Sequence, residues 1–154
     1  MSRLNLLEET RFEKIPVSIF PDENRASNSV ARRIANLINQ NNLVAKTTVL
    51  GLATGSTPIK VYKELIRLHK DEGLSFKNVI TFNLDEYYPM KSDSAQSYVT
   101  FMNENLFNHI DIDKSNIHIP DGTLGENEIV NFCLSYEKKI SEYGGIDLQI
   151  LGIG

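Results

Sequence analysis

Apolar runs and stretches with helical spacing alternate along this chain from residue 15 onward. Runs of apolar and β-branched residues predict five strands, at about residues 15–20, 49–53, 79–85, 117–120 and 147–154. Apolar residues at every third or fourth position predict four helices, at about residues 23–41, 58–70, 95–108 and 126–143. Strands that alternate with helices form a parallel sheet with helices on both faces. We therefore expect an α/β fold, a three-layer α/β/α domain with a mainly parallel, Rossmann-like sheet.

The start of the chain lies outside this pattern. Residues 1–14 are polar and irregular, and we interpret them as an N-terminal arm. No internal repeat, low-complexity tract or linker interrupts residues 15–154, which are predicted to belong to one domain. The last predicted strand stops at its carboxyl end, although later elements normally cover the surface beside such a strand. We therefore expect a partial domain that lacks its C-terminal part.

Two local signals place the starts of predicted helices. Thr57 is a good N-cap, and Pro58 would then occupy the first helical position, where its missing N–H is not needed. Thr123 and Glu126 have the spacing of a capping box, which predicts the start of the last helix. On that helix Cys133 falls in the apolar stripe, so we expect it in the core rather than as a nucleophile.

A loop of small and hydroxyl-bearing residues joins the second predicted strand to the second helix, and it consists of Thr54, Gly55, Ser56 and Thr57. Gly55 allows a tight turn. The loop would direct backbone N–H groups, hydroxyls and the positive end of a helix dipole at one point, which is the chemistry of a phosphate site. An ordinary strand-to-helix connection also uses small residues, and spacing alone leaves both interpretations open.

Two adjacent acidic residues, Asp85 and Glu86, follow the next strand along the chain. Since ligands of parallel α/β sheets bind beyond the carboxyl ends of the strands, these acids, residues 54–57 and Gly152 should meet at one edge. This combination suits sugar-phosphate chemistry, because the loop positions the sugar and the carboxylate takes a proton from a carbon beside a carbonyl. Glu86 and Gly152 would then lie at the edge of the substrate. Capping of the following turn is the alternative role for Asp85.

Composition narrows the function classes. The net charge of −4 gives no basic field for nucleic acid, and no apolar run approaches the length of a membrane span. With Cys133 as its single cysteine the chain has no intramolecular disulfide, which fits a reducing, cytoplasmic setting. No cluster of His, Cys and carboxylate residues has ligand spacing, so we predict no metal, and the spacing of a nucleotide P-loop is absent. His118, inside a predicted strand, is interpreted as a half-buried structural residue.

These motifs resemble those of the glucosamine-6-phosphate deaminases, also called glucosamine-6-phosphate isomerases. Residues 51–58 (Gly-Leu-Ala-Thr-Gly-Ser-Thr-Pro) are similar to the phosphate loop of that family. Residues 75–87, which end in Phe-Asn-Leu-Asp-Glu-Tyr, are similar to its base-bearing strand. Residues 96–102 and 106–112 are also similar, and the resemblance covers nearly the whole chain from about residue 20 onward.

The resemblance implies a reaction in which glucosamine 6-phosphate and water give fructose 6-phosphate and ammonia. In that family the aspartate in the position of Asp85 is the base that moves a proton between sugar carbons C1 and C2. Residues in the positions of Thr54, Gly55, Ser56 and Thr57 bind the 6-phosphate. The resemblance implies no redox cofactor and no metal, and it implies a homo-oligomer at full length.

One departure from the family pattern changes this expectation. In the family, the glycine-rich strand end continues into a segment of the type Asn-Asp-Gly-His-Ile-Ala-Phe-Asn-Glu, which supplies the ring-opening histidine. This sequence stops at Gly154, where that segment would begin. The resemblance therefore implies the N-terminal part of a deaminase, and we expect little or no activity from these 154 residues alone.

Two other functions stay open as alternatives. The 6-phosphogluconolactonases share the fold and a similar Gly-Ser-Thr-Pro loop, but they tend to carry Asp-Glu-Arg where residues 85–87 of this chain are Asp-Glu-Tyr. A non-catalytic sugar-phosphate-binding module would keep the loop without the acid-base segment. The sequence therefore predicts a sugar-phosphate protein and favours the deaminase among three candidates.

Overall fold

The computed structural model describes residues 15–152, in which a parallel sheet lies between helices. Its four strands are β1 (Thr48–Leu52), β2 (Val79–Asn83), β3 (Ile117–His118) and β4 (Leu148–Gln149). Its four α-helices are α1 (Glu23–Leu43), α2 (Ile59–Glu72), α3 (Tyr98–Asn105) and α4 (Ile129–Glu142). Two short 3-10 helices, Phe107–His109 and Lys114–Asn116, lie between α3 and β3.

The strands lie in the order β3-β2-β1-β4, and every neighbouring pair is parallel. β1 and β2 are largely apolar runs in which every residue is buried, as expected for central strands covered on both faces. The shorter β3 and β4 form the edges and are half-buried. The predicted α/β class and parallel sheet are therefore confirmed.

Helices cover both faces of this sheet. Because successive residues of a strand point to opposite faces, β1 and β2 contribute to two separate clusters. On one face α1, α2 and α3 pack on a core that includes Ile34, Ile38, Leu50, Tyr62, Leu65 and Met102. On the other face α4 lies on a smaller cluster, formed by Val49, Ile80 and Phe82 with Tyr136 and Ile140 packed against them.

Residues 15–20, predicted as a first strand, form no strand in the structure. Their apolar side chains are exposed, Ile15 by 75% and Ile19 by 93%. A strand is stable only when a neighbouring backbone takes up its hydrogen bonds, and among residues 15–152 no strand lies beside this segment. The prediction of a first strand is therefore wrong, and the predicted arm at residues 1–14 lies outside the described residues.

The other predicted elements form, with some ends shifted. β2 ends at Asn83 rather than at residue 85, and α3 begins at Tyr98 rather than at residue 95. The last predicted strand shortens to Leu148–Gln149, and residues 153–154 lie outside the described part of the chain. A strand ends where its neighbour stops pairing with it, so hydrophobicity alone sets these bounds only approximately.

Both predicted helix caps are displaced. The first bond of α2 runs from the Tyr62 N–H to the Pro58 carbonyl at 3.0 Å, so Pro58 takes the cap position that was expected for Thr57. The hydroxyl and N–H of Thr123 donate to Asp121 in a local turn, at 2.7 and 2.8 Å, and Glu128 rather than Thr123 occupies the cap position of α4. That helix begins three positions after Glu126, at Ile129.

Two single-residue predictions have opposite outcomes. His118 is half-buried as predicted, with its ring centroid 4.6 Å from that of Phe82, and burial lowers its pKa below the ordinary value of 6.5. Cys133 is exposed, so its assignment to the core is wrong. The sheet-facing stripe of α4 runs through Tyr136 and Ile140, and Cys133 lies beside this stripe rather than in it.

Residues 15–152 lack two features that would indicate a membrane or a metal site. In this part of the chain no helix is both long enough and apolar enough to cross a membrane. Nor does this part contain a group of three or more His, Cys, Asp or Glu side chains placed to hold a metal ion.

Asp111 joins two connecting segments beside the N-terminal end of β2. Its carboxylate accepts hydrogen bonds from the Phe76 N–H at 2.6 Å and from the Ser75 hydroxyl at 2.8 Å. Nδ1 of His69 lies 3.7 Å from the same carboxylate. Burial opposes the ionisation of Asp111, but the hydrogen bonds outweigh it and hold the pKa below its ordinary value of 3.8.

We expect Asp111→Asn to lower the free energy of unfolding by about 1–3 kcal/mol near neutral pH, because hydrogen bonds to a charged group are lost. The lowered pKa means that the stabilisation is complete above 3.8 and is lost as the pH falls through the folded-state value. Urea denaturation should therefore show wild type and variant converging in acid. Asp93→Asn, at an exposed position, is the control and should have little effect. A difference that persists undiminished in acid would contradict this account.

Candidate functional site

The ends of β1 and β2 lie side by side at the carboxyl edge of the sheet. Leu52 and Asn83 are register partners, and the Leu84 N–H donates to the Leu52 carbonyl at 3.3 Å. The residues that follow the two strands therefore emerge next to each other. Residues 54–57 follow β1, and residues 84–90, which we call the 84–90 loop, follow β2.

Ser56 and Thr57, in the 54–57 loop, present polar groups that no neighbouring residue uses. Gly55 has φ +98°, a left-handed conformation that glycine adopts without strain. Across residues 15–152, the N–H groups and hydroxyls of Ser56 and Thr57 take part in no hydrogen bond. α2 follows directly and has no acidic residue in its first turn, so the positive end of its dipole is not neutralised there. These free donors can bind an anion.

Tyr62 supports this loop from within the core. Its phenol is fully buried and donates a hydrogen bond to the carbonyl of Ala53, the residue before the loop. Burial raises the pKa of Tyr62 well above the ordinary value of 10.0, so the phenol keeps its proton and remains a donor. This bond ties the end of β1 to the first turns of α2.

Asp85 is exposed at the same edge, directly after β2. Within residues 15–152 its carboxylate takes part in no hydrogen bond and no ion pair. The pKa of Tyr98 is raised, chiefly by the neighbouring phenol of Tyr87. Thr54 acts in the opposite direction, and burial and the charge of Asp85 add to the rise. A residue of the 54–57 loop, the Asp85 carboxylate and two phenols therefore lie at the same edge of the sheet.

A cavity of about 640 Å³, the first cavity, opens between the two loops. This volume is in the range of small-molecule sites. Thr54 and Gly55 line one side, and the rings of Tyr87 and Tyr98, whose centroids are 4.7 Å apart, line the other. Asp85 is not a lining residue, but it belongs to the same loop as Tyr87, which is. The site thus combines a loop with free N–H and hydroxyl donors, an aromatic wall and a nearby carboxylate.

Gly152 lies on the opposite flank of the 54–57 loop. It borders a second cavity, of about 530 Å³, together with Thr57 and Pro58. Because β1 stands between β2 and β4 in the sheet, residues that follow β4 are separated from Asp85 by the 54–57 loop. The structure therefore places Gly152 at the carboxyl edge of the sheet, as predicted, but not next to the carboxylate of Asp85.

Glu86 binds the neighbouring helix rather than lining either cavity. Its oxygens accept hydrogen bonds from the Tyr98 N–H at 2.9 Å, the Val99 N–H at 3.3 Å and the Ser97 hydroxyl at 2.7 Å. They also accept the Tyr87 N–H at 2.9 Å. A carboxylate is favoured at the N-terminus of a helix by the free N–H groups and the dipole there. Glu86 thus lies at the N-terminus of α3, where protein donors occupy its carboxylate. Its place at the edge of the substrate stays a prediction.

The sequence pattern singled out neither Tyr98 nor Gly122 as a site residue. Tyr98 opens a helix that begins at the carboxyl edge of the sheet, and this position is the signal that could have identified it. Nothing in the sequence marks Gly122. A Cβ there would lie 2.6 Å from the Tyr87 carbonyl oxygen and 2.8 Å from that of Met90. Gly122 also accepts the Met90 N–H at 2.8 Å, and it therefore supports the 84–90 loop.

We expect Gly122→Ala to displace the 84–90 loop and to lower the free energy of unfolding by about 1–3 kcal/mol, because the added methyl group meets backbone atoms. Gly125→Ala is the matched control. Its Cβ would contact only side-chain atoms of Asn127 and Glu128, which can rotate away. Urea denaturation of both variants measures the difference, and equal losses would contradict the supporting role of Gly122.

Comparison with known proteins identifies relatives of this chain. A family model described as glucosamine-6-phosphate isomerases/6-phosphogluconolactonase matches residues 21–154. A glucosamine-6-phosphate deaminase of Clostridium botulinum is 50% identical over 125 residues, which are 81% of this chain and 50% of that protein. The chain therefore spans about half the length of this curated relative.

Solved structures of both kinds share the fold. The structure of a monomeric glucosamine-6-phosphate deaminase matches with a TM-score of 0.84 at 40% identity, over 91% of this chain and 56% of that one. A 6-phosphogluconolactonase from Thermotoga maritima matches with a TM-score of 0.70 at 26% identity, over 89% of this chain and 59% of that one. Of these two, the deaminase is the more similar in both sequence and fold.

Proposed function

Because the chain belongs to the family of glucosamine-6-phosphate isomerases and 6-phosphogluconolactonases, we propose that it carries the phosphate loop and the catalytic base of a glucosamine-6-phosphate deaminase. Such an enzyme converts glucosamine 6-phosphate and water to fructose 6-phosphate and ammonia. The observation that supports this proposal is the meeting of the 54–57 loop and Asp85 at one edge of the sheet.

In this proposal the 54–57 loop binds the phosphate of the substrate. The N–H groups and hydroxyls of Ser56 and Thr57 are free donors, and the N-terminus of α2 adds a favourable dipole. The phosphate does not change in the reaction, so its binding energy serves to hold the sugar in position. The first cavity then takes the sugar chain, with Tyr87 and Tyr98 as its wall.

Asp85 acts as the base on the open-chain sugar. Its carboxylate takes the proton from C2, beside the C1 aldehyde, and the electron pair forms the C1–C2 double bond. The C1 oxygen takes a proton from the C2 ammonium group of the substrate, which completes an enolamine. Return of the proton to C1 gives the C2 imine of fructose 6-phosphate. Water adds to this imine, and ammonia leaves as the ketone forms. Because no hydrogen bond within residues 15–152 involves the Asp85 carboxylate, its lone pairs are available for the proton.

A 6-phosphogluconolactonase is the second candidate, since a structure of that kind shares the fold at a TM-score of 0.70. The identity there is 26%, against 50% for the Clostridium botulinum deaminase, so we rank this hydrolase below the deaminase. A non-catalytic sugar-phosphate-binding module is the third. Lactone hydrolysis without ammonia release would reverse the ranking, and sugar-phosphate binding without either activity would favour the module.

We also propose the setting in which the protein works. A sugar phosphate is its small-molecule partner, and the single cysteine supports a reducing, cytoplasmic compartment. A homo-oligomer at full length is the expectation that the family resemblance raised. Since one similar structure is that of a monomeric deaminase, light scattering on the full-length gene product is the direct measurement of its oligomeric state.

We expect Asp85→Asn, in the full-length gene product that contains this sequence, to slow ammonia release from glucosamine 6-phosphate by about 10²- to 10⁴-fold, because an amide cannot take the proton. KM should change little, since the phosphate loop is untouched. Asp71→Asn alters an exposed carboxylate at the far end of α2 and is the matched control, with wild-type rates expected. Ammonia release that survives Asp85→Asn would exclude this residue as the base.

Ser56→Ala examines the phosphate loop separately. Loss of a hydroxyl that donates to a charged phosphate should raise KM about 10-fold at nearly constant kcat. Inhibition by inorganic phosphate should weaken to a similar extent. Ser29→Ala removes an exposed hydroxyl from α1 and should leave KM unchanged. If Ser56→Ala also leaves KM unchanged, this hydroxyl does not contact the phosphate.

A further inference from the structure

Glu86 takes part in more hydrogen bonds than any other residue of the 84–90 loop. Its oxygens accept the Tyr98 N–H at 2.9 Å, the Ser97 hydroxyl at 2.7 Å and the Tyr87 N–H at 2.9 Å. Ser97 is fully buried and is the N-cap of α3, where its hydroxyl oxygen accepts the Val99 N–H at 3.0 Å. Glu86 therefore ties the loop to the first turn of α3.

Asp85, the preceding residue, has no anchor of this kind. Nothing among residues 15–152 hydrogen-bonds to its carboxylate, so the backbone of the loop sets where the side chain lies. On its N-terminal side that backbone is held by the bond from the Leu84 N–H to the Leu52 carbonyl. On its C-terminal side the next anchored group is the side chain of Glu86.

We propose that Glu86 is a positioning residue, which holds Asp85 beside the first cavity by tying the 84–90 loop to the N-terminus of α3. This inference rests on the proposed role of Asp85 as the base. The charge of Glu86 matters as well as its shape, because its partners are all donors and a helix N-terminus favours an anion. Glu86→Gln keeps the size but presents an amide N–H₂ to those donors.

Kinetics with glucosamine 6-phosphate deuterated at C2 distinguish positioning from a purely structural role. In the full-length gene product we expect Glu86→Gln to lower kcat about 10- to 100-fold with KM within about twofold, because a base displaced by about 1 Å is inefficient while the phosphate contacts persist. Proton removal should become more rate-limiting, so the isotope effect on kcat should rise. Partial unfolding would only reduce the amount of active enzyme and would leave the isotope effect unchanged.

Glu128→Gln is the matched control. Glu128 accepts the Gly125 N–H at 2.9 Å just before α4 and lines neither cavity, so this variant should keep the wild-type kcat and isotope effect. Amide hydrogen exchange should quicken at Tyr98 and Val99 in Glu86→Gln alone. If Glu86→Gln does not fold, Ser97→Ala removes one donor to the same carboxylate and should raise the isotope effect to a smaller extent.

The outcomes separate this inference from the proposed function. A wild-type kcat or an unchanged isotope effect in folded Glu86→Gln would overturn the positioning role and leave the deaminase proposal intact. Wild-type protein that releases no ammonia would overturn the deaminase proposal, and the positioning role with it. A reduced kcat with a raised isotope effect would support both.

Discussion

The parallel pairing of β1 with β2 is the constraint on which the candidate site depends. Both strands are buried along their whole length and stay in register to their last residues, Leu52 and Asn83, so the two following loops begin at the same level. With helices on both faces, the carboxyl edge is where a ligand can reach the sheet. A one-residue slip of β2 would exchange its two faces and shift its loop away from the 54–57 loop.

Two helices begin at this edge, and they differ in whether the donors at their N-termini have a partner within the protein. At α2 the donors of Ser56 and Thr57 are left free, so an external anion can bind there. At α3 the corresponding place is taken by the chain's own carboxylate, that of Glu86. The same physical preference of helix N-termini for negative charge therefore leaves one N-terminus open to an external anion and holds a structural anchor at the other. It also separates two adjacent acids, since Glu86 is engaged while Asp85 is free.

The fold by itself does not determine the function, as the relatives of this chain show. A deaminase and a lactonase share the sheet and its flanking helices, so the architecture alone is compatible with both. What distinguishes them must lie in the groups that meet the sugar. In the site that we propose for this chain, these groups are Tyr87, Tyr98 and the carboxylate of Asp85, beside a loop whose free donors suit a phosphate.

The sequence by itself determined the alternation of strands and helices, the 54–57 loop and the place of Asp85, because apolar periodicity and turn residues are local properties. Only the tertiary structure decided the rest. It left residues 15–20 without a strand partner, placed Cys133 outside the buried stripe and brought Gly122 under the 84–90 loop. It also gave Glu86 a helix to bind. Each of these outcomes depends on a neighbour distant in sequence, and no local pattern records which backbone or side chain will be packed there.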